Sequence, residues 1–237
     1  MTPTIAVLDY GIGNLRSAQK TLERAGALPI LTADPAVVAQ AHGVVLPGVG
    51  NFGRVMEAIR ETGVDKLAND AVESGRPFLG ICVGMQALYE SSEEVDGVRG
   101  LGVLQGSIRL LSDEVKRPQM QWNQLSFPEP SPLFSGIAEK SWVYFVHSYA
   151  PESTADVVAT CEYGGTVTAA AQRDNVYATQ FHPEKSGPIG IQIITNFVKL
   201  CSDHVLCSDH VLCSDNVLWG DHVGGRGIST GSVEEKP

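Results

Sequence analysis

Short apolar runs alternate with longer amphipathic stretches along the first part of the chain. The apolar runs at 5–8 and 44–46 have the length and composition of strands, and the stretches at 14–25 and 54–74 carry apolar residues at helical spacing. Strands that alternate with helices are typical of βαβ units, whose strands form a parallel sheet. The pattern therefore predicts an α/β fold.

The next apolar run, 77–82, lacks alternating polar residues, as expected of a central strand that is buried on both faces. Residues 83–89 follow a helical pattern, so Cys82 is predicted to lie at a strand-to-helix corner. Between 101 and 181 the pattern changes to short strands separated by Pro and Gly, which we interpret as an antiparallel extension of the sheet. A last amphipathic helix is predicted over 189–200 and is expected to pack on the sheet.

A six-residue unit, Cys-Ser-Asp-His-Val-Leu, repeats along residues 201–223, twice in full and then in two altered copies. A period of six matches neither an α-helix nor a known solenoid unit, although an even period is compatible with strand alternation. The Cys and His residues could bind a metal ion, but duplication of a sequence produces the same regular spacing. We therefore interpret 201–237 as a low-complexity tail that is expected to be disordered and to hold no metal, and 1–200 as the folded domain.

The overall composition fits one compact domain and argues against two classes of partner, nucleic acids and membranes. The chain has 237 residues, is 43% hydrophobic, and has a formal net charge of −10 and an isoelectric point near 5.0. An acidic protein repels nucleic-acid phosphates and anionic lipids, so neither nucleic acid nor a membrane is an expected partner. No apolar run approaches the roughly 18 residues that span a bilayer, and no signal-peptide pattern is present, so the expected compartment is the cytoplasm. The five cysteines, three of them in the repeat, show no disulfide framework and are expected to be reduced.

The sequence Gly80-Ile-Cys82-Val-Gly84 matches a nucleophile elbow in which Cys replaces Ser. Glycines on both sides let the strand and the helix approach each other around a tight turn. The N-terminus of the following helix would favour the thiolate, which is the form of cysteine that attacks a carbonyl carbon. A buried, unreactive core cysteine is the alternative interpretation, so the elbow needs support from other residues.

The segment His182-Pro183-Glu184 supplies that support. Residues two apart in an extended segment point to the same side, so His182 and Glu184 can face one site. A carboxylate beside an imidazole fixes its tautomer and stabilises the imidazolium. A lone His-Pro-Glu is more often a surface turn, but a cysteine elbow followed by His and a carboxylate in an α/β chain indicates nucleophilic catalysis.

Two glycine-containing loops follow predicted strands. Pro47-Gly-Val-Gly50 comes directly after the strand at 44–46, and its backbone N–H groups could form an oxyanion hole, although an ordinary strand-to-helix turn has the same composition. Gly11-Ile-Gly13-Asn14 lacks both the full Gly-x-Gly-x-x-Gly spacing and a Walker lysine. Nucleotide binding is therefore not expected.

Several longer motifs occur in a specific order along the chain. They are Pro47-Gly-Val-Gly-Asn-Phe-Gly53, Gly80-Ile-Cys-Val-Gly-Met-Gln86, Trp122-Asn123, Tyr144-Phe-Val-His-Ser-Tyr149 and Gln180-Phe-His-Pro-Glu-Lys-Ser186. With them the chain closely resembles, from about residue 4 to 200, the class I glutamine amidotransferases, and among these the glutaminase subunits of imidazole glycerol phosphate synthase. The resemblance implies a flavodoxin-like fold, with a mixed, mostly parallel sheet flanked by helices, and makes 1–200 an amidotransferase domain.

The same resemblance implies roles for individual residues. Cys82 would be the nucleophile, His182 the general acid and base, and Glu184 the residue that orients His182. The backbone around Val49 and Val83 would form the oxyanion hole. The residues that would line the glutamine pocket are Gly50, Gln86, Glu94, Ser148 and Tyr149. This chemistry requires no cofactor and no metal.

The resemblance also implies a partner. Ammonia from glutamine would pass to a cyclase subunit, which makes imidazole glycerol phosphate and an aminoimidazole carboxamide ribotide in histidine biosynthesis. An amidotransferase subunit of another synthase, such as anthranilate synthase, would have the same catalytic core, and a binding subunit without activity is a further alternative. The chain departs from the family at Gln121, where glycine is usual and where docking or signalling could be altered, and in the tail after Leu200.

Overall fold

The computed structural model describes residues 1–214, with side chains for residues 1–204. Its strands, in chain order, are β1 (Thr4–Leu8), β2 (Leu28–Thr32), β3 (Gly43–Gly48), β4 (Phe78–Cys82), β5 (Ser91–Ser92), β6 (Ser107–Leu110), β7 (Gln119–Gln124), β8 (Trp142–His147), β9 (Tyr149–Pro151), β10 (Val157–Glu162), β11 (Thr166–Arg173) and β12 (Val176–Thr179). Its α-helices are α1 (Leu15–Arg24), α2 (Pro35–Gln40), α3 (Phe52–Glu61), α4 (Val64–Glu73), α5 (Val83–Ala87) and α6 (Gly187–Ser214).

The central sheet has seven strands in the order β10-β11-β12-β4-β3-β1-β2. Strands β1 to β4 and β12 pair in parallel, whereas β11 pairs antiparallel with both β10 and β12. Strands β3 and β4 at the centre are buried along their whole length. The predicted mostly parallel sheet with an antiparallel extension is therefore confirmed.

The carboxyl ends of the parallel strands lie at one edge of this sheet. Gly48 at the end of β3 is in register with Cys82 at the end of β4. The loops that follow β1 and β12 begin at the same edge, because both strands run parallel to the central pair. The sheet thus gathers four loops that are far apart in the sequence.

The single helix predicted over 54–74 is wrong, because the structure has two helices there. Helix α3 ends at Glu61 and α4 begins at Val64. Between them Gly63 has φ 73°, a left-handed conformation that interrupts a right-handed helix. At the other end of α3, Asn51 caps the helix by accepting a hydrogen bond from the Arg54 backbone N–H at 3.2 Å.

The predicted antiparallel extension accounts for only part of the region 101–181. Strands β10 to β12 join the central sheet, whereas β6 and β9 form a small sheet with β5, and β7 pairs with β8 alone. The short strands are as predicted, but sequence patterns do not show which sheet a strand joins, because pairing depends on partners distant in the chain.

The last helix continues past its predicted end at Leu200 and reaches Ser214. The repeat contains no Gly or Pro before Gly220, so nothing in it stops a helix. Cys201, the first residue of the repeat, is fully buried, and a Cβ on Gly43 would lie 2.3 Å from its Sγ. Residues 215–237 of the predicted tail lie outside the described residues, so their disorder stays a prediction. The Cys and His side chains beyond His204 lie outside the described side chains, so the expectation that they hold no metal also stays a prediction.

Within residues 1–214, no helix combines the length and the apolar character needed to cross a membrane.

Candidate active site

Cys82 lies at the sharp turn between β4 and α5, as the sequence predicts. Its backbone has φ 56° and ψ −113°, a conformation that residues other than glycine rarely adopt. The side chain is 3% exposed, and its Sγ accepts a weak hydrogen bond from Gln180 Nε2 at 3.8 Å. This strained turn therefore holds the sulfur in one position.

Backbone packing around the elbow depends on two glycines. A Cβ on Gly84 would lie 1.9 Å from the carbonyl oxygen of Leu46, and a Cβ on Gly48 would lie 2.5 Å from the Gly84 nitrogen. Real Cβ atoms cannot approach so closely, so both positions require glycine. The loop after β3 and the start of α5 are consequently in backbone contact, and Val49 and Val83 lie close to one another.

His182 follows β12 and is held on both its backbone and its ring. Its N–H donates to the Tyr144 carbonyl oxygen at 3.0 Å, and its own carbonyl oxygen accepts from Ser186 Oγ at 2.7 Å. The ring donates from Nδ1 to Glu184 Oε1 at 2.7 Å, and both side chains are almost completely buried. Because the Nδ1 proton is engaged in the hydrogen bond to Glu184, Nε2 is the ring nitrogen that remains available for proton transfer.

The charge state of His182 follows from its neighbours. Burial alone would lower the pKa of His182, but interactions with the Cys82 sulfur and the Glu184 carboxylate outweigh burial and raise it to about 9. His182 is therefore protonated at neutral pH.

One cavity is lined by most of the site residues that the sequence predicts. It has a volume of about 620 Å³, and both Cys82 and His182 line it. Glu184 lies behind His182 rather than in the lining. All the predicted oxyanion-hole and glutamine-pocket residues line this cavity as well: Val49, Gly50, Val83, Gln86, Glu94, Ser148 and Tyr149. The volume falls within the ~300–1,000 Å³ typical of small-molecule sites.

Hydrogen bonds fix two of these side chains. Gln86 Nε2 donates to the Tyr149 carbonyl oxygen and to Gln180 Oε1, both at 3.0 Å. Glu94 Oε2 accepts from the Phe52 backbone N–H at 2.7 Å, at the first residue of α3. Gln86 thus joins two walls of the cavity, and Glu94 holds the helix that follows the Pro47–Gly50 loop.

The sequence reasoning missed three residues that contact this machinery. Tyr10 OH donates to the Pro47 carbonyl oxygen at 2.6 Å, and Asn14 Nδ2 approaches Glu184 Oε1 at 3.5 Å. His147 lines the cavity and is buried. Asn14 lies in the glycine loop that begins at Gly11, and His147 lies inside one of the longer motifs, so position in a motif was the available signal for these two residues. Tyr10 had no such signal.

Gln121, the predicted departure from the family, is exposed on β7 opposite Phe145 and does not line the cavity. Among the side chains of residues 1–204, no group of three or more His, Cys, Asp or Glu residues is arranged to hold a metal ion.

Residues 6–201 match the family described as glutamine amidotransferase class-I. The chain belongs to this family. The structure of this amidotransferase therefore places a cysteine elbow, a buried His-Glu pair and a small-molecule cavity at the carboxyl edge of its sheet.

Similar amidotransferases carry one name across distant organisms. "Imidazole glycerol phosphate synthase subunit HisH" from Synechococcus sp. is 49% identical over 202 residues, covering 82% of this chain and 93% of that protein. The proteins of the same name from Syntrophotalea carbinolica and Methanosarcina mazei are 47% and 46% identical, and the match covers 98% of each of them and 81% and 83% of this chain.

Solved structures of more distant proteins share the fold of this amidotransferase. A putative GMP synthase subunit from Thermoplasma acidophilum has a TM-score of 0.67 at 22% identity and covers 88% of this chain and 98% of that one. PurLQS from Thermotoga maritima also has a TM-score of 0.67 at 22% identity and covers 86% of this chain and 100% of that one.

Proposed function

We propose that this chain is the glutaminase subunit of imidazole glycerol phosphate synthase. It hydrolyses glutamine to glutamate and ammonia, and the ammonia passes to a cyclase subunit that makes imidazole glycerol phosphate and an aminoimidazole carboxamide ribotide in histidine biosynthesis. The observation that carries the proposal is the cavity lined by Cys82 and His182, with Glu184 bonded to His182. Relatives named for this synthase support the choice of pathway. The cytoplasm is the expected compartment.

In the proposed mechanism, the Cys82 sulfur attacks the carboxamide carbon of glutamine and pushes an electron pair onto the carboxamide oxygen. When the tetrahedral intermediate collapses, the carbon–nitrogen bond breaks and His182 Nε2 gives its proton to the departing ammonia. His182 then takes a proton from water, which attacks the glutamyl thioester and releases glutamate. Glu184 keeps the imidazole oriented through both steps. None of these steps needs a metal or an organic cofactor.

The developing negative charge on the carboxamide oxygen needs hydrogen-bond donors. Val83 opens α5 directly after Cys82, and the loop that holds Val49 and Gly50 lies against it. Among residues 1–204, neither the Val49 nor the Gly50 backbone N–H is engaged in a hydrogen bond. These groups are therefore available to the oxyanion, and Glu94 supplies a negative charge that suits the ammonium group of glutamine.

An exposed apolar face beside the cavity supports docking of a cyclase partner. On β7, Met120 and Trp122 lie opposite Val146 and Tyr144 of β8. Met120, Trp122 and the neighbouring Trp142 are 63%, 46% and 53% exposed. Aromatic residues and Met are enriched at protein interfaces, and Val146 also lines the cavity. A partner on this face would receive ammonia close to where it forms.

Coexpression with a cyclase subunit tests the proposal directly. The purified complex should make product with either glutamine or ammonia. Cys82→Ala should abolish synthesis from glutamine and leave synthesis from ammonia within about two-fold of the parent, because only the ammonia source is removed.

Cys161→Ala is the matched control, since Cys161 is also a free, buried cysteine but does not line the cavity. It should keep both activities. Loss of both activities in Cys82→Ala would contradict the assigned role, and copurification with the synthase subunit of another pathway would favour the anthranilate-type alternative.

A further inference from the structure

Tyr10, in the loop between β1 and α1, contacts the loop Pro47–Gly50, which we call the oxyanion loop. Its hydroxyl donates to the Pro47 carbonyl oxygen at 2.6 Å, and the residue is 3% exposed. Pro47 immediately precedes Gly48, Val49 and Gly50, so the hydrogen bond lies at the start of the segment that contributes Val49 and Gly50 to the cavity lining.

We propose that Tyr10 is a positioning residue that anchors the start of the oxyanion loop, so that only the peptide groups after Gly48 can change orientation. This inference rests on the glutaminase function proposed above. Tyr10 does not line the cavity and makes no hydrogen bond to Cys82. Its effect on the site would therefore pass through Pro47.

The two ends of the loop differ in the space around them. At the first end, a Cβ on Gly48 would lie 2.5 Å from the Gly84 nitrogen and 3.0 Å from Tyr10 OH, so this position is tightly packed. At the other end, Gly50 has φ 99° and no atom within 4 Å of where a Cβ would be. The packing therefore fixes Pro47 and Gly48, whereas Gly50 has open space beside it and the wide conformational range of a glycine.

The Tyr10 hydroxyl is a permanent donor. Burial, with a smaller effect from Cys82, holds the pKa of Tyr10 well above its usual value, so the oxygen keeps its proton at any working pH. Because this hydrogen bond is buried, losing the donor leaves the Pro47 carbonyl oxygen with one partner fewer inside the protein.

Tyr10→Phe tests the anchor because it removes the hydroxyl and little else. In the complex with the cyclase and its phosphoribulosyl substrate, kcat for glutamine hydrolysis should fall about 5- to 20-fold, the range expected when one buried hydrogen bond stops positioning an oxyanion donor. KM for glutamine and synthesis from ammonia should each change by less than about two-fold, because neither depends on the oxyanion.

Two further measurements separate positioning from a general loss of structure. Tyr89→Phe is the control, since Tyr89 is also fully buried but its hydroxyl has no hydrogen-bond partner, and this variant should keep the parent kcat. Alkylation of Cys82 by iodoacetamide, followed by mass spectrometry, displaces iodide from a CH₂ carbon and forms no oxyanion. Its rate in Tyr10→Phe should therefore equal that of the parent.

A Tyr10→Phe complex with the parent kcat overturns the inference, as does a parallel fall in kcat, alkylation and ammonia-dependent synthesis. A Tyr10→Phe chain that does not fold, when Tyr89→Phe folds, also overturns it, because the hydroxyl would then serve the fold. A parent complex that shows no glutamine hydrolysis would instead contradict the proposed function, and the role of Tyr10 that rests on it.

Discussion

Two buried histidines that line the cavity have different charge states at neutral pH. Cys82 and Glu184 raise the pKa of His182 to about 9 against the effect of burial, whereas burial, assisted by His182, lowers the pKa of His147 to about 4. His147 Nδ1 donates to a main-chain carbonyl oxygen at 2.9 Å, so its neutral ring leaves Nε2 without a proton. Of these two histidines, His182 is therefore the one that holds the proton which the proposed mechanism gives to the departing ammonia.

The low pKa of His147 predicts a loss of stability in acid. Below pH 6.5 the unfolded chain protonates this residue and the folded chain does not, so stability falls as the pH drops from 6.5 to about 4. The slope is about 1.4 kcal/mol per pH unit, with a total of about 3 kcal/mol at most. Urea unfolding at several pH values measures this, and the free energy of unfolding of His147→Gln should lack the part of the acid-dependent loss that His147 causes. The His182 contribution titrates above pH 6.5, outside this window. Identical slopes for parent and variant would contradict the prediction.

Residues of the site are predictable where a local motif has a chemical meaning. Cys82 stands in a glycine-flanked elbow, and His182 and Glu184 have the spacing of an imidazole and its carboxylate. Tyr10 has no comparable signal, because it acts through a contact with a segment distant in the chain. Such contacts are created by the fold, and one sequence does not display them.

Among the elements, the loop after β3 leads into α3 and packs against the elbow. The predicted glycines are required for different reasons, since Gly48 allows close backbone packing and Gly50 has a positive φ. We expect this loop to limit glutamine turnover, with low activity in the chain alone and higher activity in the liganded complex.

Gly50→Pro tests this loop. Proline removes a backbone donor and fixes φ near −65°, whereas Gly50 has φ 99°. Glutamine-dependent synthesis by the liganded complex should fall about 100- to 1,000-fold, as when one oxyanion donor is lost. Ammonia-dependent synthesis should be unchanged.

Gly136→Pro provides the comparison for that variant. Gly136 also has a positive φ, 75°, but does not line the cavity. Proline there should cause a comparable loss of backbone stability and leave the oxyanion loop unchanged. It should retain glutamine turnover. Parent-like turnover in Gly50→Pro would rule out a role for this donor.

Element boundaries were predictable where apolar periodicity is clear and failed where it is not. The central strand at 77–82 is a continuous apolar run and matches β4. Strand β2 was missed because it is an edge strand whose residues are only partly buried, so its Leu28 and Ile30 remain exposed and no clean alternation is visible. The break at Gly63 was missed because one glycine inside an amphipathic pattern is compatible with a continuous helix.

At the scale of the whole molecule, the parallel sheet assembles the site from loops that the sequence separates. The strand order places β3, β4 and β12 side by side, so the loops that carry Val49, Cys82 and His182 start from neighbouring strands. The alternation of strands and helices predicted this class of fold. The separate sheet of β7 and β8 was not predicted, since it requires knowing the partner of each strand.

The packing of Cys201 predicts where the chain can be shortened. A chain ending at His204 should keep the parent free energy of unfolding. A chain ending at Leu200 should lose about 1–2 kcal/mol, because it removes a small buried side chain that packs against Gly43. Urea denaturation of both truncated chains measures this, and both should retain glutamine turnover in the complex. Equal stability of the two would show that Cys201 contributes nothing, and a large loss in the chain ending at His204 would show that the repeat belongs to the fold.

Because Cys161 and Cys201 are buried, the rate at which each thiol is alkylated reports how often the structure around it opens. Both thiols are sealed inside the protein, and burial raises the pKa of Cys161 to about 11, so an alkylating reagent reaches them only when the surrounding structure opens. Cys82 faces the substrate cavity and reports a different event. Pulse labelling of these three positions would therefore time the opening of the sheet edge at β10, the release of the last helix from β3, and access to the cavity, all in one unmodified molecule.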